Sequence, residues 1–313
     1  MEAELKESIP IIRNSLLDSS DSKQENILGE KFEYKYKIIH SLYKKDNEEM
    51  FLVTDFFGQI DKNEKKNLYF LCKINLTKEE IKNSIKEKIN NLNNINSKYL
   101  MKIINYFHID IKGKKSLCII FNYFEINLSE KIHQTNFINS RIIWKTFTQL
   151  ILGLNSLNEN NILPPYICIQ NIFLDEENNI KIMPNPLSIL YNEEINKKEL
   201  KVLSYLCPEI ISGENFDEKS CVWSLGCILY ELAFQKCAFS SDNMEILKNQ
   251  IIERKYNLLE NCDKDISLII QRLICEKKNR LTIKELIFNE IIKEKIIKLN
   301  LFSEIVMDNL NSK

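Results

Sequence analysis

A chain of 313 residues, 44% hydrophobic and 28% charged, carries enough apolar material for one large domain or two lobes sharing a cleft, which excludes wholesale disorder. Its formal net charge of -1 creates no field that would favour nucleic acid or an anionic membrane, so a partner has to be recognised by shape. No apolar run reaches the roughly 18 residues of a membrane span, and the acidic start MEAELKESIP lacks the features of a secretion signal, so an intracellular chain without membrane association is expected.

Residues 1–30 are polar, carry the run Ser19 to Ser22 and hold one apolar patch around Ile11, Ile12, Leu16 and Leu17; they read as a mobile tail. From Phe32 to Tyr123 the β-branched and aromatic runs KYKII, MFLVTDFF, NLYFLCKINL, INYFHIDI and SLCIIFNY alternate with polar turns, which predicts a mostly antiparallel sheet interrupted by one helix at about 78–95. After Asn127 the period changes to 3.6, with Ile142, Ile143, Phe147, Leu150, Ile151, Leu154 and Leu157 forming one buried helical stripe. Two short extended segments, NIFLD and NIKIM, follow around a turn at Glu176 to Asn179. The segment from Leu187 to Leu206 is polar with apolar interruptions at Ile189, Leu190 and Tyr191, suited to covering a cleft or docking a partner. Helices are expected at 222–234, 244–253, 266–275 and 283–299, and then Leu301, Phe302, Ile305, Val306 and Leu310 make an amphipathic stripe within a C-terminal tail, 301–313. The nine cysteines are scattered, odd in number and without C-x-x-C spacing, and His40, His108 and His133 lie far apart, so neither a disulfide framework nor a metal site is indicated.

Five strings stand in a telling order. FLCK, ending at Lys73, is similar to the V-A-I-K of a third strand, and QNIFLD, from Gln170 to Asp175, to the tail of H-R-D-x-K-P-x-N with the strand after it. YLCPEI holds Pro208-Glu209 as in A-P-E, KSCVWSLGCILYELA runs from Lys219 to Ala233, and KKNRLTIKELI resembles a late P-x-x-R-x-T element. In register from about residue 32 to 290, these strings resemble a eukaryotic protein kinase domain, in wording most like the NIMA-related serine/threonine kinases. The resemblance implies an α+β, bilobal protein kinase-like fold, with a small β-rich N-lobe holding one helix at 31–123 and a larger α-helical C-lobe at 124–300. It also implies a structural ion pair between Glu209 and Arg280, and a remnant nucleotide site at Lys73 and Asn171.

Phosphoryl transfer needs backbone amides and a lysine on the phosphates, magnesium held by an aspartate and an asparagine, and a carboxylate that receives the hydroxyl proton. Between Ser41 and Leu52, where glycines should let the backbone approach phosphate, there is no glycine; Glu48 and Glu49 bring negative charge instead, and Gly58 stands alone. Lys88 falls where a helix glutamate should hold Lys73, with Glu87 one residue away. The H-R-D positions hold Pro164, Pro165 and Tyr166, the loop lysine is Cys168, and the D-F-G positions hold Pro184, Asn185 and Pro186. A phenol with reference pKa near 10 is a poor proton acceptor at neutral pH, and this set offers magnesium no anion. Cys221 replaces the helix aspartate that in the family holds the catalytic-loop backbone, and two prolines have removed amide donors from that loop, which suggests a rebuilt loop with no need of the aspartate. Bulky Leu71, Phe121 and Phe173 are expected to fill the adenine volume. Lys73 would then pair with a nearby carboxylate or support weak, metal-free nucleotide binding, and Asn171 would tie the loop together. No cofactor is expected, and ATP binding weak or absent. The reading is a catalytically inactive domain that scaffolds or allosterically regulates a protein partner, another kinase among the candidates. Two alternatives stand beside it. One is a divergent active kinase using Glu87, Asp175 and Asp217; the other, resting on the NIMA-related likeness, is a structural subunit of a cytoskeletal or ciliary assembly. The expected setting is accordingly cytoplasmic or cytoskeleton-associated.

Overall fold

The computed structural model describes residues 36–44, 48–55, 68–76, 81–111, 114–135, 138–184, 200–257 and 263–301. The expected tail at 1–30, Gly58, Asn185, Pro186, most of the 187–206 segment and the stripe beyond Leu301 lie outside the described residues. Two compact units are present: Met1–Asn83 with Lys102–Tyr123, and Ser84–Met101 with Phe124–Lys313.

The smaller unit is a five-stranded sheet. β1 (Tyr36–Lys44), β2 (Glu48–Asp55), β3 (Leu68–Asn75), β4 (Ile103–Ile111) and β5 (Lys114–Asn122) are ordered β1-β2-β3-β5-β4, every neighbouring pair antiparallel. Side chains alternate between the two faces of a strand, so register decides which residues meet. On one face Val53, Leu71, Ile109, Cys118 and Ile120 form a buried cluster with Phe51, Tyr69 and Phe107 packed against it, and the ring of Tyr36 stacks on that of Phe107 at 6.1 Å. Phe70 is opposite Phe121 in the β3–β5 ladder and Leu71 opposite Ile120, which puts Phe121 on the other face.

Helix α1 (Ile81–Asn94) crosses the division between the units. The segment after it belongs to the larger unit because Ile95, Tyr99 and Leu100 are buried in that unit's core, and Tyr99 and Met101 exchange backbone hydrogen bonds with Ile182. The unit boundary thus departs from a single cut at residue 123: Ser84–Met101 counts with the helical part.

The larger unit opens with β6 (Ile126–Asn127) and α2 (Leu128–Gln134), two elements absent from the sequence reading. Asn127 starts the helix through a capping box, its side chain accepting the Glu130 N–H at 2.9 Å while Glu130 accepts the Asn127 N–H. Helix α3 (Ser140–Glu159) buries the expected stripe except Ile142, which sits in the first turn and is exposed. β7 (Ile172–Leu174) and β8 (Ile180–Ile182) form a hairpin, and β6 adds a third strand to it. After the short helices α4 (Leu200–Leu203) and α5 (Pro208–Ile211) comes α6 (Glu218–Phe234), buried without interruption from Ser220 to Leu232. Burial of one of its large apolar side chains contributes roughly 1.5–3 kcal/mol, and Trp223 at its centre stacks on Phe239 at 5.6 Å. The helix ends at Gln235 in the left-handed conformation (φ 53°), a strain offset by its side-chain amide, which donates to the carbonyls of Ile132 and Thr135. Helices α7 (Met244–Ile252) and α8 (Lys264–Leu273) follow. The single helix expected at 283–299 is two, α9 (Ile283–Ile287) and α10 (Glu290–Lys298). Asn289 breaks the run: its backbone is extended and its side chain accepts from the amides of Ile291 and Ile292, the geometry of a new helix start. Among the described residues no helix is long and apolar enough to cross a membrane.

Candidate functional site

Lys73 sits on β3 directly opposite Glu49 of β2, and Glu49 in turn is opposite Lys44 of β1. The Lys73 ammonium lies 2.7 Å from Glu49 Oε2 and the Lys44 ammonium 2.6 Å from Oε1, so one carboxylate bridges lysines of two neighbouring strands. Exposure falls from 76% at Lys44 to 17% at Lys73 and 10% at Glu49. Burial alone would raise the Glu49 carboxyl, but the hydrogen bonds and charges of Lys44 and Lys73 outweigh it and hold the group below its usual value. On the far side of Lys73 the ladder places Cys118, whose thiol burial pushes up to about 12 against the opposing charge of Lys73. The neighbouring Glu48 points to the other face, as strand pleating requires, and accepts a hydrogen bond from the buried Cys72 thiol at 3.1 Å.

Lys73 is therefore paired within its own sheet. The expected partner position, Lys88, is half-buried on α1 and Glu87 is exposed there; both belong to the larger unit. Sequence reasoning missed Glu49 as the partner. A signal was present, since Asp46 and Asn47 are turn formers, and a hairpin turned there brings residue 44 opposite 49. The expectation that Leu71 and Phe121 fill one volume does not survive the register, because the two side chains leave the sheet on opposite faces. Lys73 shares the face of Leu71, so Lys73 and Phe121 do not line one wall either. Phe173 is buried on β7 in the other unit.

In the larger unit Pro164, Tyr166, Ile167, Cys168, Asn171 and Pro184 are among the residues that line a cavity of about 10 Å³, at the lower limit for a single water. Tyr166, Cys168 and Asn171 contribute to its lining and no carboxylate does. Asn171 closes a turn of 3-10 helix by donating its N–H to the Cys168 carbonyl, and its own carbonyl accepts the Met183 N–H at 2.8 Å. This residue joins the two segments through its backbone.

Cys221, wholly buried in the first turn of α6, donates its thiol hydrogen to the carbonyl of Pro164. Burial pushes this thiol far above its ordinary pKa, which keeps the proton in place for donation. Position 221 thus contacts this loop as a hydrogen-bond donor. Prolines at 164 and 165 have no N–H to offer a carboxylate, and what the loop presents is an acceptor that needs a donor.

Glu209 and Arg280 form a buried bidentate pair, with N–O distances of 2.9 and 3.4 Å. The guanidinium also donates to the carbonyls of Lys219 and Cys275, each at 2.9 Å, and lies 4.9 Å from the Trp223 ring centre. Burial would raise the Glu209 carboxyl, yet the Cys207 thiol and the Arg280 charge hold it below the usual range. The pair ties α5 to α6 and to the turn before α9.

Of the three acids named for an active alternative, Glu87 is exposed, and Asp175 and Asp217 have partners of their own. Asp175 accepts the backbone amides of Asn179 and Glu177 in the β7–β8 turn, with Lys181 3.5 Å away. Against the upward push of burial, those hydrogen bonds and Lys181 hold its carboxyl low. Asp217 caps α6 and pairs with Lys277 at 2.9 Å.

With a five-stranded sheet in one unit and a helical body around a β7–β8 hairpin and a Glu–Arg anchor in the other, residues 58–292 match the protein kinase domain family, and the chain belongs to it. The match begins after β2, so Lys44 and Glu49 precede it. Among curated proteins the chain is similar to the serine/threonine-protein kinase Nek3 of Oryza sativa subsp. japonica, at 30% identity over 192 residues, 59% of this chain and 32% of that protein. It is also similar to the probable serine/threonine-protein kinase nek2 of Dictyostelium discoideum, at 30% over 181 residues, 54% of this chain and 43% of that protein. A third relative is the serine/threonine-protein kinase nekl-2 of Caenorhabditis elegans, at 26% over 234 residues, 69% of this chain and 63% of that protein. The domain is NIMA-related and kinase-like, and the chain spans less than two thirds of each of these relatives.

Proposed function

We propose that this chain is a catalytically inactive kinase domain that acts by holding or allosterically regulating a protein partner, with another protein kinase among the candidates. The observation that carries this reading is the loop around Pro164, Pro165, Tyr166 and Pro184, which offers neither a proton acceptor nor an anionic ligand for magnesium. Loss of a general base alone costs about 10² to 10⁴ in rate. The state of Lys73 supports the same conclusion, since it is already paired with Glu49 and does not share a face with Phe121. A magnesium nucleotide does not fit this set of residues. The free thiols of Cys72, Cys118, Cys207 and Cys221 suit a reducing, intracellular compartment.

The similarity to serine/threonine-protein kinases favours a second reading, an active serine/threonine kinase that has moved its acids. One experiment separates the two. Purified protein is titrated with ATP, with and without magnesium, while thermal stability and phosphate incorporation into a generic acceptor are followed. The expected result is no magnesium-dependent stabilisation and no incorporation above the protein-free control. Incorporation that requires magnesium and disappears in Lys73→Ala would overturn the proposal.

A further inference from the structure

We propose that the Lys44, Glu49 and Lys73 array is a phosphate-binding site closed in cis, with the Glu49 carboxylate occupying the place of a phosphate group from a small polyanion. This extends the reading of an inactive domain, because it names what keeps Lys73 from nucleotide phosphates.

Each oxygen of Glu49 takes a different ammonium group, at 2.6 and 2.7 Å, as two oxygens of one phosphate would. The three side chains are register neighbours on β1, β2 and β3, so the arrangement is built by the ladder. Their summed charge is +1 with Glu49 ionised. Without it two like charges would remain on the strands either side of β2, on one face of the sheet, and repel each other until a counter-anion arrives. Lys73 is too enclosed, at 17% exposure, to discharge that repulsion into water, whereas Lys44, at 76%, has room to swing aside and admit a ligand. The absence of glycine between Ser41 and Leu52 means that side chains rather than backbone amides would hold the anion. Lys44 and Glu49 precede the family-matched span, whereas Lys73 lies within it.

An internal carboxylate competes at an effective concentration of about millimolar or more, and it lowers the apparent affinity for an external phosphate by the fraction of time the site stands open. Neutralising Glu49 removes the competitor and adds one unit of net positive charge. Isothermal titration with inorganic tripolyphosphate, without metal, tests this in the full chain. Glu49→Gln is expected to bind at least about tenfold more tightly than wild type, and Glu49→Gln/Lys73→Met is expected to lose the gain. Glu49→Asp keeps the charge but is one methylene too short to reach both ammonium groups; its affinity should lie between the two, and it decides the matter if Glu49→Gln does not fold. Equal affinity in wild type and the Glu49 variants, or a gain that persists without Lys73, would overturn the closed-site proposal. Phosphoryl transfer by the wild-type protein would instead strike at the inactive reading, and the tripolyphosphate comparison would still decide the closed site.

Discussion

Restoring the kinase residue at position 221 should damage this protein. In Cys221→Asp a carboxyl group enters a site with no solvent exposure that faces the Pro164 carbonyl, where the thiol now donates. An ionised carboxylate would meet another acceptor and find no N–H on either proline. The cheaper outcome is protonation, which lets the acid donate to Pro164 as the thiol does. Protonating an aspartate of reference pKa 3.9 at pH 7 costs about 1.36 kcal/mol per unit over about three units, or roughly 4 kcal/mol. The N-terminal dipole of α6 favours only the ionised form, so it offsets none of the cost of the protonated acid. The folded pKa is raised above the unfolded value, so the penalty is small near pH 4 and grows by about 1.36 kcal/mol per unit as pH rises toward the folded pKa. Urea unfolding followed by circular dichroism at pH 5, 6 and 7 measures it, with Cys221→Ser as the control that keeps a donor. A penalty below about 1 kcal/mol at pH 7, or one independent of pH while Cys221→Ser is mild, would refute the donor role of Cys221 in this contact.

Two further perturbations test the frame around the site. Gly226→Ala should destabilise by about 1–3 kcal/mol despite alanine's better helix propensity, because the added Cβ would lie 2.8 Å from Leu273 Cβ and Ile274 Cγ1 where α6 meets α8; thermal unfolding reads the loss. Glu209→Gln should cost about 3–5 kcal/mol near neutral pH by leaving Arg280 buried without its counter-charge. The carboxyl of Glu209 is held low, so its contribution is present above the unfolded value of about 4.3 and is lost as pH falls through the folded one. The variant should accordingly show a shallower loss of stability on acidification than wild type in pH-dependent denaturation.

Much of this protein could be read from its residues in order. The strands ending in FLCK and in SLCIIFNY, the stripe of α3 and the core helix around Trp223 follow from side-chain periods of 2 and 3.6, which are local properties. The chemistry of Pro164, Tyr166 and Pro184 could equally be weighed in advance, because what a proline or a phenol cannot do in proton transfer or metal binding is independent of the fold. Asn289 and the Asn127–Glu130 box were within reach too, as capping residues ahead of helices, though a continuous apolar run hid the first.

Other features were settled only when distant segments met. Glu49 became the partner of Lys73, 24 positions away, through the pairing of β2 with β3; a slip of one residue would have sent the two side chains to opposite faces. The same sensitivity separated Leu71 from Phe121. At Cys221 the sequence announced a lost acid, while the direction of the new hydrogen bond depended on which atom of a loop 57 residues earlier came to lie beside it. Residue chemistry and local period are written along the chain, but register and donor–acceptor matching belong to pairs of segments, and packing alone selects which pairs form.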